Sequence, residues 1–106
     1  MNIRVKNKIV TVAFETSDKI EMNNYDGIVQ EIVRDAKNGS NKFIFDFHMV
    51  KDQYDSSVIG LVVGIIMYLS HKNNIIILRN IHDYGKEMLM QCSVHKLIEE
   101  KKVILE

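Results

Sequence analysis

Residues 42–80, KFIFDFHMVKDQYDSSVIGLVVGIIMYLSHKNNIIILRN, carry the reading that decides the fold. In KFIFDF (42–47), Phe43, Phe45 and Phe47 share one face and Ile44 and Asp46 the other, the period of two expected of a strand. Residues 56–72 keep helical spacing, with Val58, Val62, Ile65 and Leu69 on one stripe and Ile59, Val63 and Ile66 beside it. NIIILRN (74–80) is short and branched enough to be a strand buried on both faces. Strand, helix and strand in this order imply a parallel pair joined by a right-handed crossover.

The same pattern continues outward. KIVTVAF (8–14) alternates as a strand. Asn23 or Asn24 caps a helix with Tyr25, Ile28, Val29, Ile32, Val33 and Ala36 at helical spacing, and the NGS turn at 38–40 ends it. Residues 82–93 read as a shorter helix with Met88, Leu89 and Cys92 inward. HKLIEE (95–100) reads as an edge strand, and KKVILE (101–106) as a helical turn or frayed end. The expected architecture is α/β, a mostly parallel sheet of four to five strands with helices packed on it, forming one domain over residues 1–106.

Composition narrows the function. The chain has 14 basic and 14 acidic residues and no net charge, so it has no basic field to attract nucleic acid. Its one cysteine, Cys92, excludes an internal disulfide and a cysteine-based zinc site, and fits a reducing compartment. The start MNIRVKNKIV lacks a signal-peptide pattern. The longest apolar stretch, Val58 to Leu69, would span about 18 Å as a helix against a hydrocarbon core of about 30 Å. A cytoplasmic protein with no membrane span is the expectation.

The central helix raises a question at its start. Asp55, Ser56 and Ser57 are residues that cap helices, but one cap needs only one of them. A hydroxyl there also sits at the positive end of the helix dipole, where a phosphate is stabilised by about 0.3–1 kcal/mol. The helix behind it has almost no polar residue before Ser70. Either neighbouring helices cover it on all sides, or part of it, near the first turn, is exposed for a partner. Gly60 and Gly64 suggest a close approach to the sheet or to that partner.

These residues carry a resemblance. The stretch 43–80 resembles the central strand, helix and strand of the STAS domain, the fold of bacterial anti-sigma factor antagonists. That family opens its helix with Asp-Ser-Ser/Thr-Gly-Leu-Gly, and Asp55, Ser56, Ser57, Ile59 and Gly60 match. Val58 stands where the family has Gly, and Asp18 and Glu21 replace the Gly and Asp of its first-loop motif. The family's C-terminal helix is short or missing after Ile98.

The resemblance implies a protein without catalytic residues or cofactors that binds a partner through Asp55, Ser56, Ser57, Val58, Ile59, Gly60 and Glu21. It makes Ser57 the phosphorylated residue, with Ser56 as second choice. The implied partners are an anti-sigma factor serine kinase of the histidine-kinase-like ATPase type and a metal-dependent serine phosphatase. STAS domains also act as fixed protein-binding subunits of signalling scaffolds or lipid-transport complexes, and Val58 keeps that alternative open. Enzyme readings have less behind them. Asp46, His48, Asp52 and Asp55 mix strand and loop spacings unsuited to a metal site. Ser93 and His95 beside Cys92 lack a third partner and an oxyanion hole. His71 and His82 are expected on the surface.

Overall fold

The computed structural model describes residues 1–15, 24–50, 56–70, 72–91 and 94–106, with the backbone alone for 35–37 and 56–58. Strand β1 (Asn2–Lys6) turns into β2 (Ile9–Glu15), and helix α1 (Tyr25–Lys37) leads to β3 (Lys42–Met49). Helix α2 (Ser56–Leu69) leads to β4 (Ile75–Arg79), then come α3 (Asp83–Gln91), α4 (Val94–Glu99) and β5 (Val103–Leu105). The five strands lie side by side in chain order, β1 antiparallel to β2 and every later pair parallel.

That order has a consequence for the helices. Each parallel step moves the chain one strand further in the same direction. Crossovers of one hand therefore deposit every connecting helix on the same face. The buried residues agree. Ile32 and Val33 of α1, Ile65 of α2, Leu89 of α3 and Val94 of α4 join one core with Val10, Val12, Phe43, Phe45 and Leu78 of the strands. Ile44 and Ile77, which alternate to the other face, are outside that core.

Phenylalanine fills the centre of the core. Phe14 stacks on Phe45 and Phe47 across the β2–β3 pair, with ring centroids 6.2 and 5.2 Å apart. All three rings are fully buried, as is Phe43. The expected single face for Phe43, Phe45 and Phe47 is thus the helix-covered one.

Helix α1 starts where Ile28 N–H donates to the Asn24 carbonyl at 3.1 Å, which makes Asn24 the cap position. Asn38 and Gly39 end it, Gly39 in the left-handed region at φ 99°. Helix α2 stops at Leu69, short of the expected residue 72. There the Ser70 hydroxyl donates to the Met67 carbonyl and the buried Asn74 amide to the Leu69 carbonyl, both at 3.0 Å.

Two sequence expectations fail, and one strand went unread. The first strand pair was missed at its outer member: β1 pairs with β2 through a two-residue turn, Asn7 and Lys8, both at positive φ. This is the handedness that a tight hairpin requires, reached without glycine. The segment 95–100 is helix α4 rather than an edge strand, and the tail is strand β5 rather than a helical turn or frayed end. Val94, Leu97 and Ile98 have helical spacing, and Val94 is fully buried. The helix closes with Lys101 N–H on the Ile98 carbonyl and Lys102 N–H on the Leu97 carbonyl, Lys101 itself at φ 60°. That is a Schellman cap with lysine in the position glycine usually takes. The chain then returns to the sheet, where Val103 pairs with Ile76.

Lysine in the left-handed region costs about 1–2 kcal/mol. Part of that returns when glycine replaces it, offset by the freer unfolded chain. Lys8→Gly and Lys101→Gly should each stabilise the protein by about 0.5–1 kcal/mol. Urea unfolding followed by circular dichroism checks this, and a lower midpoint in either variant would contradict the assigned turns.

Candidate functional site

The strands β2, β3 and β4 end at Glu15, Met49 and Arg79, and the helices that follow start at Tyr25, Ser56 and Asp83. Because the strands are parallel, these ends and starts lie along one edge of the sheet. Binding sites of α/β folds concentrate at this edge, where helix N-termini point outward. Ser56, Ser57 and Val58 form the first turn of α2 here, and their side chains lie outside the description. Asp55 and Glu21 also lie outside the described residues. Ile59 is buried against the core, whereas Gly60 is exposed.

Two side chains tie the edge together. His82 Nε2 lies 3.0 Å from the Val50 carbonyl, linking the start of α3 to the residue that follows β3. Asn80, at φ 59°, donates from Nδ2 to Asp46 Oδ1 at 3.1 Å and so joins β4 to β3. The same Asp46 oxygen accepts the backbone N–H of His48 at 3.0 Å and lies 3.1 Å from His48 Nδ1. Burial works against ionisation of Asp46, but the hydrogen bonds from Asn80 and His48 outweigh it and hold the carboxyl below its ordinary range.

The sequence reading named Asp46 and His48 only as part of an unconvincing metal cluster, and it missed Asn80 altogether. The one available signal was an acid alternating with Ile44 in an otherwise apolar strand. Asp52 and Asp55 lie outside the described residues, and among those described no three acidic, histidine or cysteine side chains converge to hold a metal. His82 was expected on the surface, and it is exposed while bonding to Val50.

Helix α2 is apolar all round because it is the central helix. The sheet lies beneath it, α1 and α3 stand on either side, and only a narrow strip reaches solvent. Leu61, Val62, Ile65, Ile66 and Leu69 are fully buried. The strip holds Gly60, Met67 and Tyr68, with Val63 and Gly64 half-buried between them. Neighbours therefore cover most of the helix and an apolar strip stays open; the side chains of the first turn, where exposure was expected, lie outside the described residues.

The two glycines differ. A methyl group built on Gly64 would lie 2.5 Å from the Tyr25 hydroxyl oxygen, so Gly64 lets the first turn of α1 come close. A methyl group on Gly60 would meet nothing within 4 Å. Gly60 accordingly has no packing role among the described residues.

Among the described residues no helix is long and apolar enough to cross a membrane. No family model matches the chain, and no curated protein is significantly similar to it.

Two expectations follow from this geometry. Asp46→Asn should lower stability at pH 7 by about 1 kcal/mol. Since the folded carboxyl titrates below its ordinary value of 3.8, its contribution is present above that pH and fades as pH falls through the folded value. The gap to wild type in urea midpoint should narrow below about pH 4; a constant gap from neutral to acid pH would refute the ionic origin. Gly60→Ala should raise the melting temperature, worth about 0.5–1 kcal/mol of helix propensity, while Gly64→Ala should not.

Proposed function

We propose that this protein is an anti-sigma factor antagonist, a STAS-like binding module switched by phosphorylation. In its unphosphorylated form it binds an anti-sigma serine kinase of the histidine-kinase-like ATPase type. Phosphorylation of Ser57 ends the interaction, and a metal-dependent serine phosphatase restores it. The kinase supplies ATP, magnesium and the catalytic groups; this chain supplies the acceptor hydroxyl and a surface and is not itself an enzyme. The cytoplasm is the compartment where such partners meet.

One observation carries the reading: two serines form the first turn of a helix whose solvent strip, from Gly60 to Tyr68, is apolar. A partner resting on that strip would cover the helix start as well. Phosphate at the first turn is tolerated by the fold because the helix dipole favours negative charge there. The same charge, up to two units, has to be desolvated when an apolar partner surface closes over it, at a cost on the order of several kcal/mol. Folding is thus nearly indifferent to the modification while binding is not.

The decisive comparison uses calorimetric titration with the histidine-kinase-like ATPases encoded in the same genome. Ser57→Asp should bind its kinase at least tenfold more weakly, about 1.4 kcal/mol or more, with an unchanged melting curve. Ser57→Ala should bind as wild type and refuse phosphate from ATP. Equal binding by wild type and Ser57→Asp would sink the switch, and a phosphate mapped to Ser56 would move the acceptor by one residue. If neither serine takes phosphate and the chain instead purifies within a large assembly, the fixed-subunit role is the correct one.

A further inference from the structure

The face of the sheet opposite the helices is bare among the described residues, yet it is not a polar face. Its middle row runs Arg4, Thr11, Ile44, Ile77 and Ile104 across the five strands, in register. Ile44 and Ile77 are only 7% and 8% exposed although they belong to no helix-covered core. Ile75 and Ile104 beside them are 45% and 42% exposed. Ile44 and Ile77 are thus already shielded within the chain, and the apolar surface this face leaves to a partner is that of Ile75 and Ile104; parallel strands are ordinarily covered on both faces.

The flanking rows say what that cover is. On one side of the isoleucines stand Lys42 and Lys6, joined in register through Ile9. On the other stand Asp46, beside Ala13, and the exposed pair of Arg79 with Glu106, whose nitrogen and oxygen lie 3.0 Å apart. Asp46 receives its hydrogen bonds from Asn80 and His48 on Oδ1. The face is therefore cationic along one flank, apolar in the middle from β3 to β5 and bears a carboxylate along the other, a pattern complementary to itself turned by half a revolution.

We propose that this face is the contact surface between two copies of the chain, related by a twofold axis along the middle row. That rotation lays Ile44 on Ile44, Ile77 on Ile77 and Ile104 on Ile104 of the second copy. It brings Lys42 against Asp46 of the second copy, and Asp46 against its Lys42, so each close contact is made twice. The small side chains fit as well. Ala13 lies in a depression of about 260 Å³ bounded by Asn2, Arg4, Thr11, Asp46 and His48, and the rotation places Ile9 of the second copy over it. Arg4 of each copy meets its counterpart on the edge strand, where both remain solvated. The strands of the two sheets then run antiparallel, within about 30° of each other, as packed sheets do.

Five strands at about 4.8 Å spacing, over some 16 Å of strand, give roughly 400 Å² of projected contact per copy. That is about half of what each partner buries in a standard stable interface, so the dimer is weak and reversible, with a dissociation constant on the order of tens of micromolar. The surface lies on the side of the sheet away from α2, and the inference stands or falls apart from the phosphorylation switch.

Sedimentation equilibrium from about 5 to 500 µM protein tests it, over a range that brackets such a dissociation constant. Wild type should move from monomer to dimer across that range. Ile104→Glu, at an already exposed position, and Lys42→Glu should each weaken association about tenfold or more while circular dichroism stays unchanged. Asp46→Lys combined with Lys42→Glu should recover association relative to Lys42→Glu alone. A wild type that remains monomeric at the highest concentration overturns the proposal. So does a dimer that Ile104→Glu and Lys42→Glu leave intact, since a different surface would then hold it.

Discussion

The alternation in β3 is the constraint on which the structure depends. Phe43, Phe45 and Phe47 each put a fully buried ring on the same side of the strand, and Phe14 of β2 stacks on two of them. A slip of one residue would turn every ring to the other face, so the register against β2 and β4 is strongly fixed. With β3 fixed between two parallel neighbours, the crossovers on either side have to lay their helices on the phenylalanine face. A two-layer arrangement follows, with one sheet face covered and the other open among the described residues.

Helix α2 inherits its character from that layering. It connects β3 to β4, the middle of the parallel set, and so lies between α1 and α3 over the centre of the sheet. A helix at the end of the layer would show a broad polar face; this one needs only a strip. That strip lacks charge from Ser56 to Ser70, which costs solubility with no gain in packing. Gly60 sharpens the point. It spends helix propensity in open space, where alanine would fit without contact. A flat apolar strip of this kind is what the proposed partner surface would use.

Much of this was legible in the sequence, and the failures have physical causes. The period of two in 42–47, the helical spacing in 56–72 and the branched run at 74–80 each find their element, with the helix ending at Leu69 and the strand spanning Ile75–Arg79. The hairpin at Asn7–Lys8 and the helix end at Lys101 went unread because both put lysine where glycine is the usual signal. Without a stop signal, VHKLIEE offers both helical spacing and a partial alternation, and the helix that forms there buries Val94 fully. The serines were legible as a helix start, since capping chemistry is local. The braces behind them were not: Asn80 reaches Asp46 across 34 residues and His82 reaches Val50 across 32, and nothing local marks either end.

The two proposed surfaces rest on different physics, and this keeps them separable. At the edge of the strands, one modified hydroxyl changes the cost of desolvation by more than a typical contact is worth, so binding there is suited to being turned on and off. On the open sheet face, the energy is spread over isoleucines and a repeated Lys42–Asp46 pair, away from the serines of the helix edge. The half-turn that pairs the faces also reverses strand direction, so the two serine-bearing edges of a dimer point to opposite ends. A partner with one binding site gains nothing from such a dimer. One with two sites gains avidity only if its own span matches, because effective concentration vanishes when the linkage cannot reach both. The proposed switch would therefore operate chain by chain, and pairing of the sheets would set how many switches a single assembly carries.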